Sequence, residues 1–434
     1  MNPLGKIHFY SKPLNHLVMK KFLSLAFSLL FSIVSYAHDF AVPYDFAVPN
    51  ADGVTIYYAY ANNGTELAVT SGKTGTYYSG SIVIPAEVTY MNRTRKVTRI
   101  GGFEDCRNLT SVTIPNTVNT IVYKAFYGCG KLTSINIPNT VTSIDASAFS
   151  YSGLTSITLP NALTSLGEEA FKGCQGLTSV TIPNTVKTIG EGVFQDCKNL
   201  TSITISNSVK IIPKFAFSEC NNLASVTLGN SVELIEHHAF AECHKLNSID
   251  FPNTLKTIES AAFANCGLTS LIIPDSVVLI QYTAFRNCGN IKSIILGNSV
   301  EEIGYLAFAD CSNLESISMN NSLAKIGDAA FKRCRKLKSI VLPNSLASIG
   351  EEAFVDCTNL ASLTFGNSVN TISKNAFKGC VGLTFIESKM ENPCLLPEFC
   401  FPTDVFYNIT LHVPNGKIGN YKNKMYWDKF VFIE

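Results

Sequence analysis

The chain has 434 residues and fourteen cysteines, and twelve of those cysteines follow one rule. Cys106, Cys129, Cys174, Cys197, Cys220, Cys243, Cys266, Cys288, Cys311, Cys334, Cys357 and Cys380 each come three residues after a Phe. Ser152 fills the one slot in the series that lacks Cys. A disulfide ladder is the first chemistry to test. Equivalent residues on stacked parallel strands lie about 4.8 Å apart with their side chains parallel. A disulfide wants Cβ atoms about 3.8 Å apart and turned toward each other. The column is therefore expected to hold buried free thiols that behave as small hydrophobes. Cys394 and Cys400 lie outside the column and form the candidate disulfide.

Three other groupings could carry chemistry. His237, His238, Glu242, Cys243 and His244 crowd one segment, as a zinc site would. Cys243 belongs to the core column, however, and the C-x-x-C with H-x-x-x-H spacing of a zinc site is missing. Ser recurs from Ser111 to Ser362, once per unit, but a Ser nucleophile needs a base and an orienting group within reach. A residue repeated in unit after unit reads as a hydroxyl ladder. Asn or Asp recurs from Asn116 to Asn367, and its side chain is expected to bond its own turn or the neighbouring unit. No Gly-rich phosphate loop is present; Gly190, Gly304, Gly327 and Gly350 are repeat turn positions. The expectation is no catalytic residue, no metal and no cofactor.

The elements that position these residues are repeats. Phe recurs at 103, 126, 149, 171, 194, 217, 240, 263, 285, 308, 331, 354 and 377, in steps of 23 or 22. In the unit that opens at Leu109, Val112 and Ile114 alternate with Ser111 and Thr113, which marks a short strand. Pro115-Asn116 turns the chain, Val118 and Ile121 return to the core, and Ala125-Phe126 closes the back. A period of 20–29 residues with L-x-x-L-x-L signals a leucine-rich solenoid. The expected fold is about 13–14 coils of 23 residues, with short parallel strands on one face and turns or 3₁₀ segments on the back. One coil cannot bury its apolar face alone, so stacking supplies the core.

The flanks differ from the repeats. Residues 1–37 are expected to be a signal peptide with translation starting at Met19: Lys20-Lys21, an apolar run from Phe22 to Val34, then Ser35-Tyr36-Ala37. Removing them takes away four lysines and no acids, turning a net charge of +1 negative. Residues 38–77 are expected to form a β-rich N-terminal cap, with a hairpin around Asn62-Asn63-Gly64-Thr65. The solenoid spans 78–388, and a hairpin centred on Asn92-Arg93 interrupts its first coil. Residues 389–434 form an aromatic C-terminal cap. Hydrophobic residues at 46% and charged residues at 15% argue against disorder. The near-neutral balance gives no reason to expect nucleic acid, and no later segment is apolar enough to span a membrane.

The unit A-F-x-x-C-x-x-L-x-S-I-x-I-P-x-S-V-x-x-I-G resembles the BspA-like leucine-rich repeats of exported bacterial surface proteins. Ala170-Phe171, Cys174, Leu177, Ser179-Val180, Ile182-Pro183, Val186 and Ile189-Gly190 follow it in order. The tail Leu411–Gly416 with Trp427–Phe430 looks like the closing segment of exported members. The resemblance implies a secreted or cell-surface protein that binds an extracellular host or matrix protein without catalysis. A glycan-binding protein is the alternative.

One stretch of the strand face departs from the repeat. The second outward strand slot is polar up to Asp250, then becomes Ile272, Ile295, Ser318 and Val341. The slot before the Ser column turns to Lys292, Glu315 and Lys338 over the same coils. An apolar strip beside mixed charges has the makeup of a protein contact site.

Overall fold

The computed structural model describes residues 44–72 and 77–434. The expected signal peptide and start at Met19 lie outside them. From Tyr78 onward the chain winds into coils joined on three sides. On the first side, strands such as Ser179–Thr181, Ser202–Thr204 and Ser225–Thr227 pair in parallel, Ser to Ser and Thr to Thr. Val180 and Ile203 point inward and are buried, while Thr181 and Thr204 are exposed.

The return slot forms a second parallel ladder, which the strand periodicity did not announce. Two-residue strands run from Ile211–Ile212 through Leu234–Ile235 and onward to Thr371–Ile372. Each strand is too short to show a period of two, yet each places one Ile inward and bonds to the next coil.

The third side is made of turns whose N–H groups donate along the stack. In one coil His238, Phe240 and Glu242 donate to the carbonyls of Ser260, Ala262 and Ala264 at 2.8–3.1 Å. His238 and Glu242 there have φ of 55° and 64°, and the same two slots are left-handed in coil after coil. Such backbone costs a non-Gly residue about 1–2 kcal/mol. The inter-coil hydrogen bonds offset that cost.

The core is a column of Phe rings. Thirteen rings from Phe103 to Phe377 stack at 5.1–5.8 Å, and Phe401 extends the column at 5.2 Å. Tyr78 closes one end against Phe103 at 4.7 Å, while Phe406 and Phe430 meet Phe401 edge-on at the other. Burial of each ring contributes about 1.5–3 kcal/mol.

The caps close the open strand edges that a solenoid would otherwise expose. Thr55–Ala61 pairs antiparallel with Phe46–Pro49 and with Glu66–Thr70, so the hairpin around Asn62–Thr65 is present. Glu66–Thr70 then pairs in parallel with Arg93–Ile100 and joins the cap to the return ladder. The inserted hairpin turns one residue earlier than expected. Tyr90 pairs with Arg93, leaving Met91 and Asn92 at φ 52° and 59° as a two-residue turn of the kind that suits strand twist. At the far end Thr410–His412 pairs in parallel with Phe385–Ser388 and then with Phe432–Ile433. Trp427 is fully buried there, and its Nε1 donates to the Cys394 carbonyl at 2.8 Å.

Candidate functional site

Each sequence column can now be placed. All fourteen cysteines are free thiols, and the twelve of the ladder are buried. The structure adds a bond the sequence did not suggest. In eleven coils the Sγ donates to the Phe carbonyl of the preceding coil at 3.0–3.4 Å, as Cys129 does to Phe103 and Cys311 to Phe285. Burial pushes the Cys129 thiol up to about 12. Ser152 makes a different contact in the column, its hydroxyl lying 3.4 Å from the Cys174 sulfur of the following coil.

Cys394 and Cys400 are not joined. Cys400 occupies the slot that Ala holds in other coils, and its carbonyl accepts from Phe377 N at 3.0 Å. The Cys394 carbonyl is held by Trp427 instead. Each backbone thus has its own anchor, and the cap closes without a covalent link.

The histidine-rich coil is dispersed. Cys243 donates to the Phe217 carbonyl inside the core. The His244 ring lies on the exposed side, 2.9 Å from the Asn265 carbonyl and 3.5 Å from Glu242 Oε2. His237 and His238 sit edge to face at 3.9 Å, and His238 stacks on Phe215 at 5.3 Å. Burial, then His237, pushes the His238 pKa below its ordinary value. His238 borders a cavity of about 480 Å³ shared with Gln195, Glu219 and Glu242. A second hollow of about 440 Å³ lies beside Tyr305, Asp310, Arg333 and Glu352. Neither was visible in the sequence, because each draws its lining from turn slots of several coils.

The Asn column bonds across coils, as its repetition suggests. Asn184 and Asn207 each accept, through Oδ1, the backbone N–H of the next column member, at 3.2 and 2.9 Å. On the strand face the Ser111 hydroxyl donates to Ser81 at 2.7 Å.

The irregular stretch of that face is where the structure offers something to a partner. Ile272 is 66% exposed, Ile295 49% and Val341 63%. Parallel register sets Ile272 beside Ile295 and Ile295 beside Ser318. Ser339–Val341 belongs to the next sheet, paired with Ser362–Thr364, so Val341 lies past a break in strand pairing. The stripe is therefore a pair of Ile residues and a separate Val, with the Ser318 hydroxyl between. Beside it Lys338 Nζ meets Glu315 Oε2 at 2.5 Å. That hydrogen bond and charge hold the Glu315 carboxyl below the usual range. Lys292 has no carboxylate within ion-pair distance among the described residues. Further along, Phe385 takes over the Ser column and stacks on His412 at 4.8 Å.

A stack of short parallel strands over a Phe column, with Leu, Ala and Cys at fixed slots, defines a leucine-rich repeat solenoid. The sequence profile of the BspA type leucine rich repeat region matches residues 81–197, 164–292 and 278–401. The chain belongs to that family. Among solved structures it is similar to a leucine-rich repeat protein from Bacteroides ovatus, with 32% identity and a TM-score of 0.62. That likeness covers 79% of this chain and 94% of the other. It is also similar to a leucine rich cell surface protein from Faecalibacterium prausnitzii, with 25% identity and a TM-score of 0.45. There too 79% of this chain and 94% of the other are covered. No curated protein matches the chain. Among the described residues no helix is long and apolar enough to cross a membrane.

Proposed function

We propose that the chain is an exported, non-enzymatic binding protein that engages an extracellular or cell-surface protein along its strand face. The observation that carries this reading is the exposed stripe of Ile272, Ile295 and Val341. Outward apolar side chains on a strand gain nothing from the core, and in the coils from Thr113 to Asp250 the same slot holds Thr, Asn or Asp, with Val83 in the first coil the one other apolar occupant. Lys292, Glu315 and Lys338 supply a charged rim, and Ser318 a hydroxyl between apolar anchors. Contact sites combine such an apolar centre with a polar edge. The family and the N-terminal sequence support export. The scaffold reading of the Cys, Ser and Asn columns supports a role without catalysis.

The test uses the chain immobilised against a panel of extracellular proteins, with a glycan array in parallel. Changing Ile272, Ile295 and Val341 together to Thr restores the ordinary pattern and should leave the melting curve unchanged. A protein ligand should bind the triple variant about tenfold or more weakly, a loss of about 1.4 kcal/mol. Equal binding by parent and variant removes the stripe from the reading. Binding to glycans with no protein ligand replaces it with the carbohydrate alternative.

A further inference from the structure

A near-neutral chain can still sort its charges by column. The first slot after Cys holds Arg107, Lys198 and Arg335, with His244 as a neighbour in kind. The second slot holds Lys131, Lys245 and Lys336, and the slot after the following Leu or Ile holds Lys292 and Lys338. All of these Lys and Arg residues are exposed. Glu315 is the one carboxylate in the three columns. Six acids lie in the slot before Cys, at Asp105, Asp196, Glu219, Glu242, Asp310 and Asp356, where Arg333 is the one cation. Opposite signs therefore occupy adjacent lines, with the cations on the side nearer the strand face.

The spacing is as informative as the sign. From Lys198 onward the cations fall in alternate coils, those of Cys197, Cys243, Cys288 and Cys334. Two coils are about 10 Å at the strand spacing. The intervening coils carry Asn221-Asn222, Gly267 and Ser312-Asn313, which are small or hydrogen-bonding, and one acid, Glu315, which Lys338 pairs at 2.5 Å. The line from Arg107 to Lys338 is about 50 Å long on the same spacing. Some cations are partly matched from the acidic line: Arg107 lies 3.6 Å from Asp105 and Lys198 3.2 Å from Asp196. Such exposed pairs contribute only about 0–1 kcal/mol each and yield to a stronger anion. Arg335, Lys336 and Lys245 have no carboxylate within ion-pair distance among the described residues.

We infer that this edge is a binding rail for a linear acidic polysaccharide, which runs past the apolar stripe and shares with it only the rim lysines Lys292 and Lys338. A chain whose sulfate or carboxylate groups are spaced by uncharged, hydroxyl-rich sugar units matches cations about 10 Å apart with amides between them. A nucleic acid strand carries a charge about every 3.4 Å and calls for a denser array. A broad polyanion would also meet the acidic line alongside, which a narrow chain avoids.

The experiment measures binding of the full chain to a sulfated glycosaminoglycan fragment, with single-stranded DNA of equal charge as the comparison. The rail variant is Lys198→Gln, Lys245→Gln and Lys336→Gln, none of which belongs to the stripe. The control is Lys210→Gln, Lys256→Gln and Lys325→Gln, exposed lysines on the return side. The rail variant should bind the fragment at least tenfold more weakly, with a shallower dependence on salt, and the control should match the parent. Circular dichroism checks that both variants keep their fold. No binding by the parent near 0.1 M salt, equal losses in both variants, or DNA binding as tight as the fragment each overturns the inference. Protein-ligand binding read on the same variants separates this outcome from the fate of the stripe.

Discussion

A buried thiol that donates to a carbonyl one coil away has two reasons to stay reduced. Burial disfavours the thiolate, the species that attacks a disulfide, and the Cys220 thiol is pushed up to about 12 by burial. The parallel stacking also denies neighbouring Cβ atoms the facing geometry of a disulfide. The outcome expected of the native protein is almost no reaction with a thiol label at the twelve ladder positions. In denaturant all fourteen cysteines should react. A mass shift linking Cys197 to Cys220, in protein purified without reductant, would contradict this account. The column itself was legible from its spacing, and so was its free state, because both follow from parallel stacking. The Sγ-to-carbonyl bond was not legible. It depends on the Phe carbonyl being turned toward the next coil, a backbone detail that residue types do not record. The proposed Cys394–Cys400 link failed for a related reason: proximity in sequence says nothing of which backbone anchors hold each residue.

At the scale of the element, the turn side holds non-Gly residues where Gly or Asn would be at ease. Thr283 has φ of 55°, and a β-branched residue is a poor occupant of that region. Its N–H donates to the Tyr305 carbonyl at 2.8 Å, so the backbone geometry is held by the neighbouring coil and should survive substitution. Thr283→Gly and Thr283→Asn are expected to stabilise the protein by about 0.5–1 kcal/mol, as relief of steric cost exceeds the added entropy of the unfolded chain. Equilibrium denaturation measures this, and a lower midpoint for both variants would contradict it. These turns show why only part of each coil could be read in advance. Strand slots announce themselves by alternation. Left-handed slots occupied by Thr, Phe, Leu and Glu carry no sequence mark, and two-residue strands are too short to show a period. The inserted hairpin was legible from the gap after Val88. Its turn fell at Met91-Asn92 because strand register, not residue preference, set the two residues left over.

At the scale of the molecule, charge and cooperativity are both properties of columns rather than of composition. The proposed basic rail was invisible in a net charge of +1, since acids on other lines of the coils, six of them in the slot before Cys, cancel it. Stability has the same one-dimensional logic. Each coil contacts only its neighbours, so the ends decide where unfolding begins. The chain has a single Trp, and Trp427 lies in the C-terminal cap, 6.0 Å from Phe365 and 5.4 Å from Tyr421. Its fluorescence therefore reports on that end, while far-ultraviolet circular dichroism reports on the whole stack. Phe401 is the last ring of the column and the only one to touch Phe406 and Phe430 among the described residues, as well as Phe377. Phe401→Ala opens a cavity between the final coil and the cap, a change that costs about 3–5 kcal/mol in a packed core. Most of that loss falls on the cap, because the coils from Phe377 back to Phe103 keep their own contacts. The Trp transition should move to lower denaturant, and the circular dichroism transition should lag behind it. In the parent the two transitions should lie closer together. If Phe401→Ala shifts both by the same amount, the cap and the coils unfold as one unit, and the end-first picture is wrong.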